Sequence, residues 1–283
     1  MKVSICTPTY NRRPFIPTLI QCVRHQTYTG PLEWVIVDDG TDPIGDLVAS
    51  LPQVKYIRLH KKAHLGYKRN LLHANCTGDI LVYMDDDDYY PPTRISHAVE
   101  RLMSSSALIA GSSIIHVYYP HLGEVIEFGP YGKNHATAGT FAFKKELLDL
   151  TSYHEESCMG EEKYFLKNYT IPMIQLDPQQ VILVVCHPFN TVDKKQVLQH
   201  QGKSYKYNIQ HWITDKDMHL FFTKTIHETE YTEGGREHKP DVEQYQHCLA
   251  QGNAFCVKFK DRTFTGNEIL DILNQQLVLL RQR

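Results

Sequence analysis

Along the first half of the chain, short apolar runs alternate with stretches of helical period. Residues 3–7, 33–37, 54–59 and 80–84 are rich in β-branched and other apolar side chains and read as strands. Between them, 13–26 (opened by Pro14), 42–51 and 65–74 read as helices, and another helix follows Pro91-Pro92 as far as Met103. Strands spaced by helices in this way predict βαβ units and a parallel sheet wound right-handedly. The span 107–143, with more β-branched and aromatic residues and Gly and Pro punctuation, predicts the strands and loops that complete the sheet. A helix over 161–168 and a last strand over 181–186 follow. Beyond Gln199 the chain turns polar and rich in Tyr and His, breaks at Gly234-Gly235, and closes on an amphipathic helix over 267–281. The expected architecture over 1–198 is α/β, a mainly parallel twisted sheet flanked by helices with a Rossmann-like half. The remainder, 199–283, is expected to be a partly helical extension that packs on the core or mediates association, as in a homodimer.

In a parallel α/β sheet, ligands gather at the carboxyl ends of the strands. Polar clusters stand at three such ends here, at 8–12, 38–41 and 85–88. The last carries the most chemistry. An apolar strand runs directly into Asp85-Asp86-Asp87-Asp88, so these acids are not a solvated tail. Adjacent carboxylates repel one another unless a hard divalent cation takes their oxygens while leaving room for water and phosphate. Residues two apart on an extended strand face one side, which predicts that Asp85 and Asp87 address one ligand together. The plainer alternative is a loop in which Asp88 caps the next helix. After the first strand, Pro8-Thr9-Tyr10-Asn11-Arg12 suits an aromatic platform for a flat base, or an ordinary turn. Asp38-Asp39-Gly40-Thr41 can accept from a base imide or from ribose hydroxyls, or be an Asp-Gly turn. Lys68, Arg69 and Asn70 fall early in a helix, where free N–H groups also favour anions; a solvated basic face is the alternative.

Taken in order, Pro-Thr-Tyr-Asn-Arg, Asp-Asp-Gly-Thr, Lys-Arg-Asn and Asp-x-Asp-Asp resemble the family 2 glycosyltransferases, inverting enzymes of the GT-A fold, over residues 1–190. The resemblance implies that Pro8 and Tyr10 line a base pocket, with Thr9 and Arg12 in the same nucleotide-sugar loop. It implies that Asp39, beside Asp38, bonds a uracil-type imide, and that Lys68, Arg69 and Asn70 hold the nucleotide. The family's Asp-x-Asp maps onto Asp85 and Asp87, with Asp85 toward the ribose or sugar and Asp87 on a Mn²⁺ or Mg²⁺ at the diphosphate. Asp86 and Asp88 are additional acids in the same run. The general base is expected in Met159-Gly160-Glu161-Glu162, where the family's usual Glu-Asp has become Glu-Glu; Glu162 is the first choice and Glu161 the second. His187, in Cys186-His187-Pro188-Phe189-Asn190-Thr191, matches a segment from which some members supply a metal-binding His. Thr137-Ala138-Gly139-Thr140 matches a small-residue loop near the acceptor.

The implied activity is metal-dependent, inverting transfer of a sugar from a nucleotide-diphosphate donor, UDP-sugar favoured, to a glycan or other hydroxyl acceptor. A sugar nucleotidyltransferase would want a Gly-rich phosphate loop after the first strand, which this chain lacks. The intact run of acids argues against a non-catalytic nucleotide-sugar-binding or structural protein on the same fold. A phosphohydrolase would need an Asp-x-Asp-x-Thr context that is missing.

The composition fits that picture. Of 283 residues, 42% are hydrophobic and 22% charged, enough for a full core. A net charge of -2 gives no general attraction to nucleic acid, so an anionic ligand must be met locally. Seven widely spaced cysteines without C-x-x-C argue against a disulfide framework or zinc ribbon and fit a reducing compartment. No apolar run approaches the roughly 20 residues of a membrane helix, and no signal-like segment opens the chain. The expectation is a cytoplasmic protein without a transmembrane segment, whose sequons at Asn75 and Asn168 arise by chance.

Overall fold

The computed structural model describes residues 1–157, 160–190, 194, 198, 203–228, 256–259 and 262–265. Its strands are, in chain order, β1 (Val3–Thr9), β2 (Leu32–Asp38), β3 (Val54–Arg58), β4 (Ile80–Tyr83), β5 (Ile109–Gly111) and β6 (Ile115–Tyr119). They continue with β7 (Glu124–Phe128), β8 (Ala142–Lys144), β9 (Met173–Gln175), β10 (Leu183–Val185) and β11 (Lys203–Tyr207). Seven of them form one sheet in the order β3-β2-β1-β4-β8-β5-β9. The first four are mutually parallel, and β8 alone runs against its neighbours. The sheet is therefore mixed but mainly parallel, as expected. Strand β2 is buried on both faces through Trp34, Val35, Ile36 and Val37, because helices cover the sheet from either side.

The covering helices follow the expected periods. Helix α1 (Ile16–Arg24) buries Ile16, Leu19 and Val23, one stripe at helical spacing. Helix α2 is the short Gly45–Val48, and α3 (Leu65–Asn75) packs between β1 and β2 and the loop at 153–157. Helix α4 (Arg94–Met103) buries Arg94, Ile95, Ala98 and Leu102. The helix expected over 161–168 is reduced to a single turn, α5 (Glu162–Phe165). Lys167, Asn168 and Tyr169 adopt left-handed φ values of 49°, 57° and 62°, so no helix can run through them.

A second sheet, β10-β6-β7-β11, buries apolar side chains on both faces, Val117 and Phe128 on one and Val125 and Val185 on the other. The strand near 181–186 is not the last. β11 pairs antiparallel with β7, Tyr207 opposite Val125, and a separate hairpin joins Cys256–Phe259 to Arg262–Thr265. The pairing of β11 was not legible, because its partner β7 lies some eighty positions away. The helix expected over 267–281 falls outside the described residues. No helix among the described residues is long and apolar enough to cross a membrane.

The strand order reverses between β1 and β4: the chain steps from β1 outward to β2 and β3, then returns to the far side. The carboxyl ends at this switch point are where a crevice opens in such sheets.

Candidate functional site

Three strand ends meet at that switch point. At the exit of β1, Asn11 takes a left-handed φ of 51°, and its Oδ1 accepts from the N–H groups of Thr41 (2.7 Å) and Asp42 (3.1 Å). The exit loops of β1 and β2 are thereby tied together. The chain then turns Arg12 inward, 7% exposed, with Nε 3.6 Å from Asp86 Oδ1 and Nη2 3.6 Å from Asp87 Oδ2.

At the exit of β4, Thr7 Oγ1 donates to the Met84 carbonyl (2.6 Å) and accepts from Trp34 Nε1 (2.9 Å). The extended strand stops at Tyr83, and Asp86 and Asp87 lie on a turn. The strand alternation expected to align Asp85 with Asp87 is therefore not what presents them. Asp85, whose N–H donates to Tyr90 Oη at 2.5 Å, has Oδ1 3.7 Å from Arg69 Nη1. Asp87 Oδ2 lies 3.3 Å from His187 Nε2. Asp88 does not cap α4, whose N-cap Thr93 makes no side-chain bond; its Oδ1 accepts instead from the Val185 N–H at 3.0 Å.

This cluster is short of positive charge. Burial pushes the carboxyls of Asp85 and Asp88 upward. Burial and the neighbouring Asp87 bring Asp86 up to about 7. Asp87 alone goes the other way: burial opposes its charge, but the His187 hydrogen bond and Arg12 outweigh that. Among the described residues, Asp85 Oδ1, Arg12 Nε and Arg69 Nη1 are buried without a hydrogen bond. Native proteins leave such groups unpaired where something else completes them.

Asp85, with a buried oxygen that takes no hydrogen bond, and the neighbouring Asp87 are donors of the right kind for a hard cation. No three His, Cys, Asp or Glu side chains converge into a ready cation cage among the described residues. His187 stands beside Asp87. Its Nδ1 faces the Phe189 N–H at 3.1 Å, and its Nε2 stands between Asp87 Oδ2 at 3.3 Å and the Asn190 amide nitrogen at 2.8 Å. Burial lowers its pKa to about 4, so the ring is neutral at pH 7. His187 thus holds Asp87 in place and is itself held by the backbone of Phe189 and the side chain of Asn190.

The remaining expected residues fall into two groups. Asp39 Oδ1 pairs with Lys68 Nζ at 2.7 Å and its Oδ2 accepts from the Ala63 N–H at 2.8 Å, beside Tyr10, whose ring lies 5.3 Å from Lys62 Nζ. Pro8 and Thr9 are the buried end of β1, paired with Val37 and Asp38. These line the β1–β2 side. Asp38 and Asn70 turn away from it. Asp38 accepts from Gly40 N–H, Ile44 N–H and Tyr56 Oη, and Asn70 exchanges two hydrogen bonds with the Tyr153 backbone.

The anion site expected at the start of α3 is not available. The N–H groups of Gly66 and Tyr67 donate to the carbonyls of Ser157 and Glu155, and a Cβ at Gly66 would collide with the His154 carbonyl. Nor do Lys68 and Arg69 form a solvated face, since both are buried in ion pairs. Across the crevice, Glu161 is 5% exposed and its Oε1 accepts from Arg69 Nε at 2.9 Å, while half-buried Glu162 opens α5.

Sequence reasoning overlooked Arg94. Arg94 is fully buried, and its Nη2 donates to the carbonyls of Tyr83, Thr140 and Phe141, joining the tip of β4 to the small-residue loop. Its place on the apolar stripe of α4, one residue before Ile95 and four before Ala98, was a usable signal. Gly139 lies against Asp85: a Cβ there would stand 2.9 Å from Asp85 Oδ2.

A family model described as Glycosyl transferase family 2 matches residues 4–148. Curated relatives include the uncharacterized glycosyltransferase YwdF of Bacillus subtilis, 28% identical over 117 residues, which are 41% of this chain and 43% of that protein. The dolichol-phosphate mannosyltransferase of Pyrococcus furiosus is 30% identical over 120 residues, 41% of this chain and 34% of that one. The matched segment thus spans less than half the length of these relatives. Among solved structures, a fragment of S. aureus TarS in complex with UDP superposes with a TM-score of 0.54 at 19% identity, covering 67% of this chain and 62% of that one. The mannosyltransferase PcManGT from Pyrobaculum calidifontis, in complex with GDP-Man and Mn²⁺, gives 0.53 at 18% identity, covering 87% and 69%. Likeness at these identities shows the GT-A fold.

Proposed function

Because the chain belongs to glycosyl transferase family 2, we propose that it transfers a sugar from a nucleotide-diphosphate donor to an acceptor hydroxyl with inversion, assisted by a divalent metal. The observation that carries this reading is the acid cluster at the tip of β4: buried carboxylates short of positive charge, with Asp85 Oδ1 taking no hydrogen bond among the described residues, at the switch point of the sheet. UDP-sugars are the first donors to try and GDP-sugars the second, since the fold neighbours were solved with UDP and with GDP-Man. Residues 1–198 form the transferase unit on this reading, and 199–283 an extension to it.

Asp85 and Asp87 would hold the Mn²⁺ or Mg²⁺, which when bound offsets charge on a departing diphosphate by several kcal/mol. Arg12, braced against Asp86 and Asp87, adds a fixed positive charge on the same side. Glu162 accepts the proton of the acceptor hydroxyl as its oxygen bonds to the anomeric carbon. The bond from that carbon to the diphosphate oxygen breaks with its electron pair leaving on the diphosphate. Attack opposite the leaving group inverts the anomeric centre. Glu161 is the poorer base, because its carboxylate is committed to Arg69.

The test is Glu162→Gln, assayed with a panel of nucleotide sugars in Mn²⁺. Turnover is expected to fall by about 10²–10⁴-fold, the usual worth of a general base, with donor binding spared. Turnover that survives in the variant would move the base to another residue.

A further inference from the structure

Arg69 stands on the buried face of α3, with 4% of its side chain exposed, and touches both acidic motifs. Its Nε donates to Glu161 Oε1 at 2.9 Å, and its Nη1 lies 3.7 Å from Asp85 Oδ1. The guanidinium carbon sits 4.6 Å from the centre of the Tyr83 ring and 5.7 Å from that of Tyr153. Tyr153 in turn stacks on Phe165, with ring centres 4.4 Å apart and planes 8° from parallel.

Glu161 precedes α5 and Phe165 closes it. Arg69 therefore grips this helix at both ends, directly at the first and through Tyr153 at the last. A lone helical turn is unstable in water, since nucleation is costly and no propagation repays it. The left-handed residues beyond Leu166 forbid growth, so the orientation of α5 must come from tertiary contacts. The same stretch of α3 fastens the strap that leads into α5, through Asn70 on the Tyr153 backbone and the Gly66 and Tyr67 N–H groups on the loop after it.

We infer that Arg69 is a positioning residue for transfer: it fixes α5, and with it Glu162, at a set distance from Asp85. The inference rests on the reading of Glu162 and Asp85 given above, and it departs from the nucleotide-holding role that the family resemblance implies for Arg69. A guanidinium is required for this. Its fork can address two carboxylates while its faces lie on two rings, whereas a lysine ammonium is a point charge that serves one partner.

The experiment compares Arg69→Lys, Glu161→Gln and the double variant in the full chain. Steady-state kinetics and amide hydrogen exchange over 161–166 are the two readouts. In each variant kcat is expected to fall about 100-fold, the cost of an ångström-scale misplacement, while the donor KM stays within about threefold. The double variant should be no worse than the poorer single, because both remove one contact. Exchange over 161–166 should quicken in all three. A donor KM that rises with kcat preserved would make Arg69 a nucleotide ligand and overturn the inference, as would unchanged exchange. Glu161→Gln keeps its side-chain shape and carries the test if Arg69→Lys fails to fold. A wild-type chain that transfers no sugar sinks the functional reading instead, and the exchange measurement still decides the positioning claim.

Discussion

Two strands of the same sheet run straight into acids, and the fold treats the two groups differently. At the end of β2, Asp38 accepts from Gly40 N–H (2.8 Å), Ile44 N–H (3.0 Å) and Tyr56 Oη (2.6 Å), and Asp39 is paired with Lys68 at 2.7 Å. At the end of β4, the nearest cations to Asp85, Asp86 and Asp87 stand 3.6 to 3.7 Å away, and burial drives Asp85, Asp86 and Asp88 toward the protonated form. Buried carboxylates that meet enough donors shape loops. Those left short of positive charge are costly to the apo fold and are where a cation with phosphate oxygens can be bound.

The contrast breaks most directly at Asp87, the one acid of the β4 group whose pKa is lowered rather than raised. Asp87→Ala is expected to lower turnover by about 10³-fold, roughly 4 kcal/mol of lost charge stabilisation. Calorimetry of UDP-sugar binding should show Mn²⁺ tightening the wild type and not the variant. If Mn²⁺ still tightens binding to Asp87→Ala, the β4 acids do not hold the metal and the two groups of acids are functionally alike.

The β2 group should answer in the opposite currency, stability rather than turnover. Asp38→Asn turns an amide NH₂ toward donors that had an acceptor, leaving at least one buried donor unmet. The expected cost is about 3 kcal/mol of folding stability, read from the urea midpoint, with UDP affinity in the folded fraction unchanged. Lost UDP affinity at unaltered stability would place Asp38 in the pocket, as the family resemblance has it.

That difference between the acid pairs was invisible in the sequence, although most of the fold was not. The first four strands and the helices α1, α3 and α4 follow from apolar period and Pro and Gly punctuation, signals carried within some fifteen residues. What the periods do not carry is the identity of distant partners. Asp88 meets a backbone N–H at Val185, Arg69 meets Glu161, and β11 meets β7. Each of these depends on tertiary closure. The shortness of α5 has the same origin: nothing in Leu166-Lys167-Asn168-Tyr169 forbids a helix locally, yet three of the four residues adopt left-handed φ values. The site was legible as strand ends with acids and cations. Which acid is charged, which is spent on the fold, and which cation braces which helix became visible only once those partners were in place.

A third acid lies at the opposite ends of the same strands and tests whether pairing alone separates the groups. Glu33, near the start of β2, takes hydrogen bonds from Ser4 Oγ, Thr77 Oγ1 and the Gly78 N–H, and an ion pair from Lys2 at 2.7 Å. Burial alone would raise its pKa, but Lys2, Ser4 and Thr77 outweigh it and bring the carboxyl down from 4.5 to about 2. A folded-state pKa below the unfolded one means that the unfolded chain binds the proton first as pH falls. The stabilisation is therefore complete above pH 4.5 and is lost progressively between about 4.5 and 2. Its size at neutral pH is about 2 kcal/mol, after allowance for the half-exposed lysine. Glu33→Gln should remove that increment at pH 7 and flatten the fall in urea-measured stability over the acid window, with transfer activity untouched because the carboxyl ends of the strands are at the far edge. An equal acid slope in both proteins would mean that these short contacts do not set the charge of Glu33, and the pairing argument for Asp38 and Asp39 would weaken with it.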